Sequence, residues 1–133
     1  APTSPSSEMD LLVRIGLIEL AVGGLLGWAV VVRSQRPDLL HRIGLKQPRA
    51  VLQIHLDYVL MGLILIALGS VLDDPPPLLV GLLIYGTIVN PLLFLPGAFN
   101  PANEKKVLFR LIATSSFIAV SVGLVWSAIL GPG

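Results

Sequence analysis

The sequence predicts an all-α integral membrane protein, a single-domain bundle of four antiparallel transmembrane helices over residues 1–133. Hydrophobic residues make up 54% of the chain and charged residues only 13%, about half the roughly 25% typical of soluble domains. The mean hydropathy is +0.85. Four apolar runs are each long enough to cross about 30 Å of hydrocarbon at about 1.5 Å per residue. Any function is therefore expected in or beside the bilayer.

The four runs cover residues 11–32, 50–72, 78–95 and 107–130. The first run is too long and too rich in glycine for a signal peptide, and acidic residues precede it, so we expect a mature helix. Prolines interrupt the chain between the runs, at Pro37, Pro48, Pro75, Pro76, Pro77, Pro96 and Pro101. The connections are short, which favours antiparallel neighbours. A GxxxG pair, Gly23 and Gly27, and further small residues in every run predict close helix packing.

The distribution of charge predicts an orientation. Eight of the nine Lys and Arg residues lie in or next to the loops 33–49 and 96–106, and Arg14 is the ninth. The positive-inside rule predicts that both loops are cytoplasmic and that the termini lie outside, with the bacterial inner membrane as the expected location. Nine cations against eight acids give no reason to expect nucleic-acid binding. Without cysteine, disulfides, thiolate metal sites and covalent c-type haem attachment are excluded.

Ionisable residues inside the runs are candidate functional residues, because burying them in lipid is costly. Glu19 lies about 12 Å from the outer end of the first run, and Tyr85 of the third run lies at nearly the same depth. Two interpretations of Glu19 remain open. It is either a protonated carboxyl that is hydrogen-bonded to a neighbouring helix, or a proton relay or substrate contact.

His55 lies about 8 Å inside the cytoplasmic end of the second run, and Asn90 of the third run falls at about the same depth. The antiparallel order therefore predicts a layer that contains an imidazole and a carboxamide. Two interpretations of His55 are open. In the first, the imidazole makes an interhelical hydrogen bond or titrates near the membrane interface. In the second, it is a ligand of a metal ion or of haem iron. Asp57 points about 200° away from His55 around the helix, so we expect it to face another helix or subunit.

The second run reads PRAVLQIHLDYVLMG over residues 48–62 and includes Tyr58, and LIALG follows over residues 65–69. This resembles the P-R-x-x-L-x-x-H-L-[DE]-x-V-x-N-G…L-I-A-L-G segment of the hydroxylaminobenzene mutases. YGTIVN over residues 85–90 is similar to the Y-G-T-x-x-N of the same family. Styrene oxide isomerases, small four-helix membrane proteins of related design, carry their own version of both features. The resemblance spans all four runs, with motif residues in the second and third.

The resemblance implies an isomerase or mutase that contains ferric haem b. His55 matches the axial ligand of the iron, and Asn90 matches the pocket asparagine, the candidate catalytic residue. The resemblance also implies a homotrimer with haem at the subunit boundaries. The substrate would be a small apolar molecule, an epoxide or an N-aryl hydroxylamine. The iron would act on the substrate oxygen as a Lewis acid, so that the skeleton rearranges without net redox change.

Two positions depart from the family pattern. Met61 stands where the mutases have asparagine, and Phe94 stands where styrene oxide isomerase has tyrosine. These departures favour the alternative function, a non-catalytic subunit of a membrane complex, with or without haem. Glu19 leaves open a third hypothesis, a small multidrug-type transporter.

Overall fold

The computed structural model describes residues 7–132, whose regular structure is helical. The helices are α1 (Ser7–Gln35), α2 (Pro37–Arg42), α3 (Arg49–Val71), α4 (Pro77–Leu92), α5 (Phe94–Phe99), a 3-10 helix (Pro101–Lys105) and α6 (Val107–Leu130). Four segments are long and apolar enough to cross a membrane: α1, α3, α4 together with α5, and α6. This confirms the predicted all-α bundle of four spanning helices.

The helix bounds differ most from the predicted runs in the third segment. There α4 ends at Leu92, and the chain continues as α5 after Leu93. Pro96 has no backbone N–H to donate to the Leu92 carbonyl, so the helical hydrogen-bond ladder is interrupted at this point. α1 begins before and ends after the predicted first run, whereas α6 has the predicted bounds.

Glycines bring α1 and α3 into backbone contact. A Cβ atom on Gly16 would lie 2.8 Å from the Gly62 carbonyl oxygen and 2.9 Å from the Ile66 backbone nitrogen. Further along α3, Gly69 packs against Leu12, which lies earlier in α1. The two helices are therefore antiparallel, and their backbones approach closely because no side chain separates them.

α4 and α6 form the second antiparallel pair. Gly86 of α4 packs against Val120, and Gly123 of α6 packs against Leu83. The main contacts of α6 are with α4 and the 3-10 helix, whereas α4 also contacts both α1 and α3. α4 is consequently the helix that joins the two pairs, and a gap is left between α3 and α6.

The loop after α1 folds back onto α5. Leu40 of α2 is buried in a small apolar cluster with Ala50 and Ala98. The backbone N–H groups of Lys46 and Gln47 donate to the Ala98 carbonyl oxygen at 2.7 and 3.0 Å. These contacts hold the cationic loop against one end of the bundle.

Candidate functional site

His55 lies on the face of α3 that contacts α1. Its Nδ1 atom is 2.5 Å from the Gly23 carbonyl oxygen. A carbonyl can only accept, so Nδ1 is a protonated nitrogen, and in the neutral form of the ring Nε2 carries the lone pair. Nε2 has no hydrogen-bond partner among residues 7–132, and the ring is partly exposed. The interhelical hydrogen bond that the sequence left open is thus present, and the second nitrogen is free to bind a ligand.

Glycines form the part of α1 that lies next to His55. A Cβ atom on Gly27 would lie 3.3 Å from Cε1 of His55, and a Cβ atom on Gly24 would meet nothing within 4 Å. Gly23 lets the two helices approach closely enough for the hydrogen bond, because a Cβ there would lie 2.8 Å from the Val59 backbone nitrogen. The part of α1 next to the imidazole is thus formed by glycines, which place no side chain between α1 and the ring.

Many haem proteins bind the iron through a single side-chain donor atom. Residues 7–132 contain no group of three or more His, Asp or Glu side chains placed to hold a metal ion. His55 and the glycine surface beside it fit a haem with one protein ligand. Ligation itself stays a prediction.

A second site lies between α3, α4 and α6, where a cavity of about 300 Å³ opens in the gap between α3 and α6. Asn90 lines it and is only 7% exposed. The Ser116 hydroxyl donates to Oδ1 of Asn90 at 2.9 Å, whereas Nδ2 has no partner among residues 7–132. The amide therefore offers a free hydrogen-bond donor to a molecule in this cavity. We call this site the α3–α4–α6 cavity.

The two positions that depart from the family pattern line the same cavity. Met61 of α3 and Phe94 of α5 both contribute to its wall, together with Asn90. The resemblance had identified these three positions from separate motifs, and the fold brings them to one place. Polar side chains at the other two positions would have given the cavity more hydrogen-bonding groups than this chain supplies.

Asp57 is also in the wall of the α3–α4–α6 cavity, on the side of α3 away from α1. It faces other helices, as expected from its angle to His55. It is partly buried, and its carboxylate has no hydrogen-bond or ion-pair partner among residues 7–132. An unpaired acid in a membrane-spanning helix is costly, and such residues are functional candidates.

His55 and Asn90 face different neighbours. The imidazole bonds to α1, whereas the carboxamide bonds to α6 and opens on the α3–α4–α6 cavity. The sequence predicted a common depth for these groups, but depth does not decide lateral contact. One chain by itself does not place both groups against one ligand.

Glu19 is buried, with 3% of its surface exposed, where α1 meets α4. The Thr87 hydroxyl donates to its Oε2 at 2.8 Å, and no group in the described part of the chain pairs with its Oε1. Glu19 thus makes the interhelical hydrogen bond of the first interpretation. Tyr58 bonds across to α4 in a similar way, donating to the Ile88 carbonyl at 2.8 Å.

Tyr85 does not contact Glu19 although the sequence places the two at nearly the same depth. Its hydroxyl is hydrogen-bonded to that of Ser115 on α6, at 2.5 Å, and its side chain is 40% exposed. The helix turns Tyr85 and Thr87 about 200° apart, so only Thr87 faces α1.

Sequence reasoning missed the partners of these polar groups. Thr87 lies within the YGTIVN motif, and Ser116 is one of the small residues expected to pack the fourth run, so neither was predicted as a polar partner. Glu104 gave no signal, because it falls in the predicted loop 96–106, yet it lines the α3–α4–α6 cavity from the 3-10 helix.

No family model, curated protein or solved structure matches this chain. The geometry of its own residues therefore carries the functional argument.

Proposed function

We propose that the chain binds haem b through Nε2 of His55 and catalyses an intramolecular rearrangement. The observation that carries the proposal is the hydrogen bond from Nδ1 of His55 to the Gly23 carbonyl oxygen. In metal-binding histidines the nitrogen opposite the metal commonly donates to a carbonyl or carboxylate, which fixes the ring and the tautomer. His55 has this arrangement with its other nitrogen free.

When bound, ferric haem supplies a Lewis acid that polarises the oxygen of an apolar epoxide or N-aryl hydroxylamine. His55 holds the group, and the Gly23 carbonyl orients the imidazole. The apolar helices keep water away, so that the rearranging substrate is not trapped by hydrolysis. Nδ2 of Asn90 donates a hydrogen bond to the substrate and orients it.

The separation of His55 and Asn90 supports a homo-oligomer, and the resemblance implies a trimer. The α1–α3 face of one copy would pack against the α3–α4–α6 cavity of the next. A head-to-tail contact of this kind joins two different surfaces and closes into a ring when the rotation allows. Such a ring would bring the His55 of one copy to the Asn90 of its neighbour.

Protein purified in detergent after expression with added haem is expected to show a Soret band, and styrene oxide or phenylhydroxylamine is expected to shift it. Mass spectrometry should then find a product with the mass of the substrate, because the rearrangement has no net redox change. The absence of a Soret band would contradict haem binding. A Soret band without turnover would favour the non-catalytic alternative, which the apolar residues Met61 and Phe94 also suggest.

We further propose that the cationic loops lie in the cytoplasm of a bacterium with the chain in its inner membrane. A fluorescent reporter that matures only in the cytoplasm is expected to stay dark when it is fused after residue 133. Alkaline phosphatase, which is active only outside, is expected to be active at the same position. The reverse pair of results would contradict this orientation.

A further inference from the structure

We propose that the α3–α4–α6 cavity binds a small organic cation, an ammonium ion that carries an aromatic group. The site lies on the side of α3 opposite to His55. It shares the cavity and Asn90 with the rearrangement proposed above, but binding of the cation requires neither haem nor turnover.

The first argument is charge. Asp57 lies about 12 Å along α3 from its cationic end, at 1.5 Å per residue. Neither Asp57 nor Glu104 has an ion-pair partner among residues 7–132, and no Lys, Arg or His is found in the cavity wall. Two carboxylates without a counter-ion attract a cation. The Coulomb energy is larger than in water at Asp57, which is partly buried in an apolar helix, whereas Glu104 is exposed.

The second argument is the aromatic lining. Three of the four phenylalanines of the chain, Phe94, Phe109 and Phe117, line the cavity. The face of a phenyl ring carries partial negative charge and attracts ammonium groups, which is how quaternary ammonium ligands are recognised. A bare metal ion would leave these rings unused, whereas an organic cation with an apolar body contacts both the rings and the acids.

The third argument is the hydrogen-bond donor of Asn90 and the volume of the cavity. Asn90 is more than nine-tenths buried, and its Nδ2 opens on the cavity without a partner. The Asn90 residue is buried but its Nδ2 atom is not enclosed by protein, so this donor can pair with an accepting group of a ligand, such as a hydroxyl or a carbonyl. A cavity of about 300 Å³ accommodates a molecule with one aromatic ring and a short charged side chain.

Binding is tested by equilibrium dialysis of radiolabelled benzyltrimethylammonium against the protein in phosphatidylcholine nanodiscs, with empty nanodiscs as the baseline. We expect saturable binding to one site per chain. Neopentylbenzene has the same shape without the charge and is expected to compete at least about tenfold less well, the size expected for a lost charged contact.

Asp57→Asn is expected to weaken binding at least about tenfold, and Glu104→Gln by a smaller factor. The matched control is Asp38→Asn. Asp38 is outside the cavity and already paired, because the Arg36 guanidinium donates to its carboxylate at 3.2 Å and lowers its pKa. This variant is expected to bind as the wild type does.

The proposal is overturned by non-saturable binding, by equal competition from neopentylbenzene, or by unchanged affinity in Asp57→Asn. Circular dichroism and gel filtration check that each variant is folded. If Asp57→Asn does not fold, the binding site is tested with Phe109→Leu instead, because this change removes an aromatic ring from the cavity wall and keeps an apolar side chain. Weakening of ammonium binding with unchanged folding supports the site, and wild-type affinity in Phe109→Leu overturns it.

Discussion

Replacement of His55 with alanine is expected to lower the Soret absorbance of the purified protein to background. Nε2 is the only candidate donor to iron that the residues of this site offer. Loss of a group that merely orients a metal ligand already costs about 10- to 100-fold in affinity, so loss of the ligand should cost at least as much. The measurement is the absorption spectrum after expression with added haem, normalised to protein concentration.

His41→Ala is the matched control, because His41 is the second of the two histidines and lies exposed in α2. It is expected to keep the full Soret band. Adding imidazole to His55→Ala should restore part of the band, since the truncation leaves room for a free ring. A His55→Ala protein with wild-type Soret absorbance would show that the iron is held elsewhere or that haem binds without specificity.

Gly16→Ala is expected to destabilise the bundle by about 1–3 kcal/mol, the usual cost of an overpacked contact. The added methyl group would lie 2.8 Å from the Gly62 carbonyl oxygen and 2.9 Å from the Ile66 backbone nitrogen. Both are backbone atoms, so relief requires α1 and α3 to separate. The measurement is the free energy of unfolding by SDS in mixed micelles.

The control for Gly16→Ala is Gly24→Ala in the same helix. A Cβ atom at Gly24 meets nothing within 4 Å, so the change is expected to be neutral or to stabilise the helix by up to about 1 kcal/mol. Equal stability of the two variants would mean that α1 and α3 do not pack through Gly16. Because separation of these helices also moves the Gly23 carbonyl from His55, Gly16→Ala should in addition lower the Soret absorbance.

Much of the fold could be predicted because the length of an apolar run and the positions of prolines act locally. The bounds of α6 follow from its hydrophobicity alone. The early end of α4 at Leu92 did not follow, because the apolar run continues through the helix break that Pro96 imposes.

The candidate site was only partly predictable. His55, Asp57, Glu19 and Asn90 were identifiable, because polar side chains in lipid are costly wherever they point. Their partners were not, since Thr87 and Ser116 are small residues that suit helix packing equally well with or without a hydrogen bond.

The sequence by itself therefore determined that the chain forms four spanning helices, where each polar group lies along its helix, and which polar groups are candidate functional residues. Only the tertiary structure decided their lateral neighbours: His55 against α1, and Asn90 with Asp57 in the α3–α4–α6 cavity. The physical reason is that lipid and helix interfaces are both apolar. Hydrophobic periodicity, which marks the buried face of a helix in water, does not mark it in a membrane.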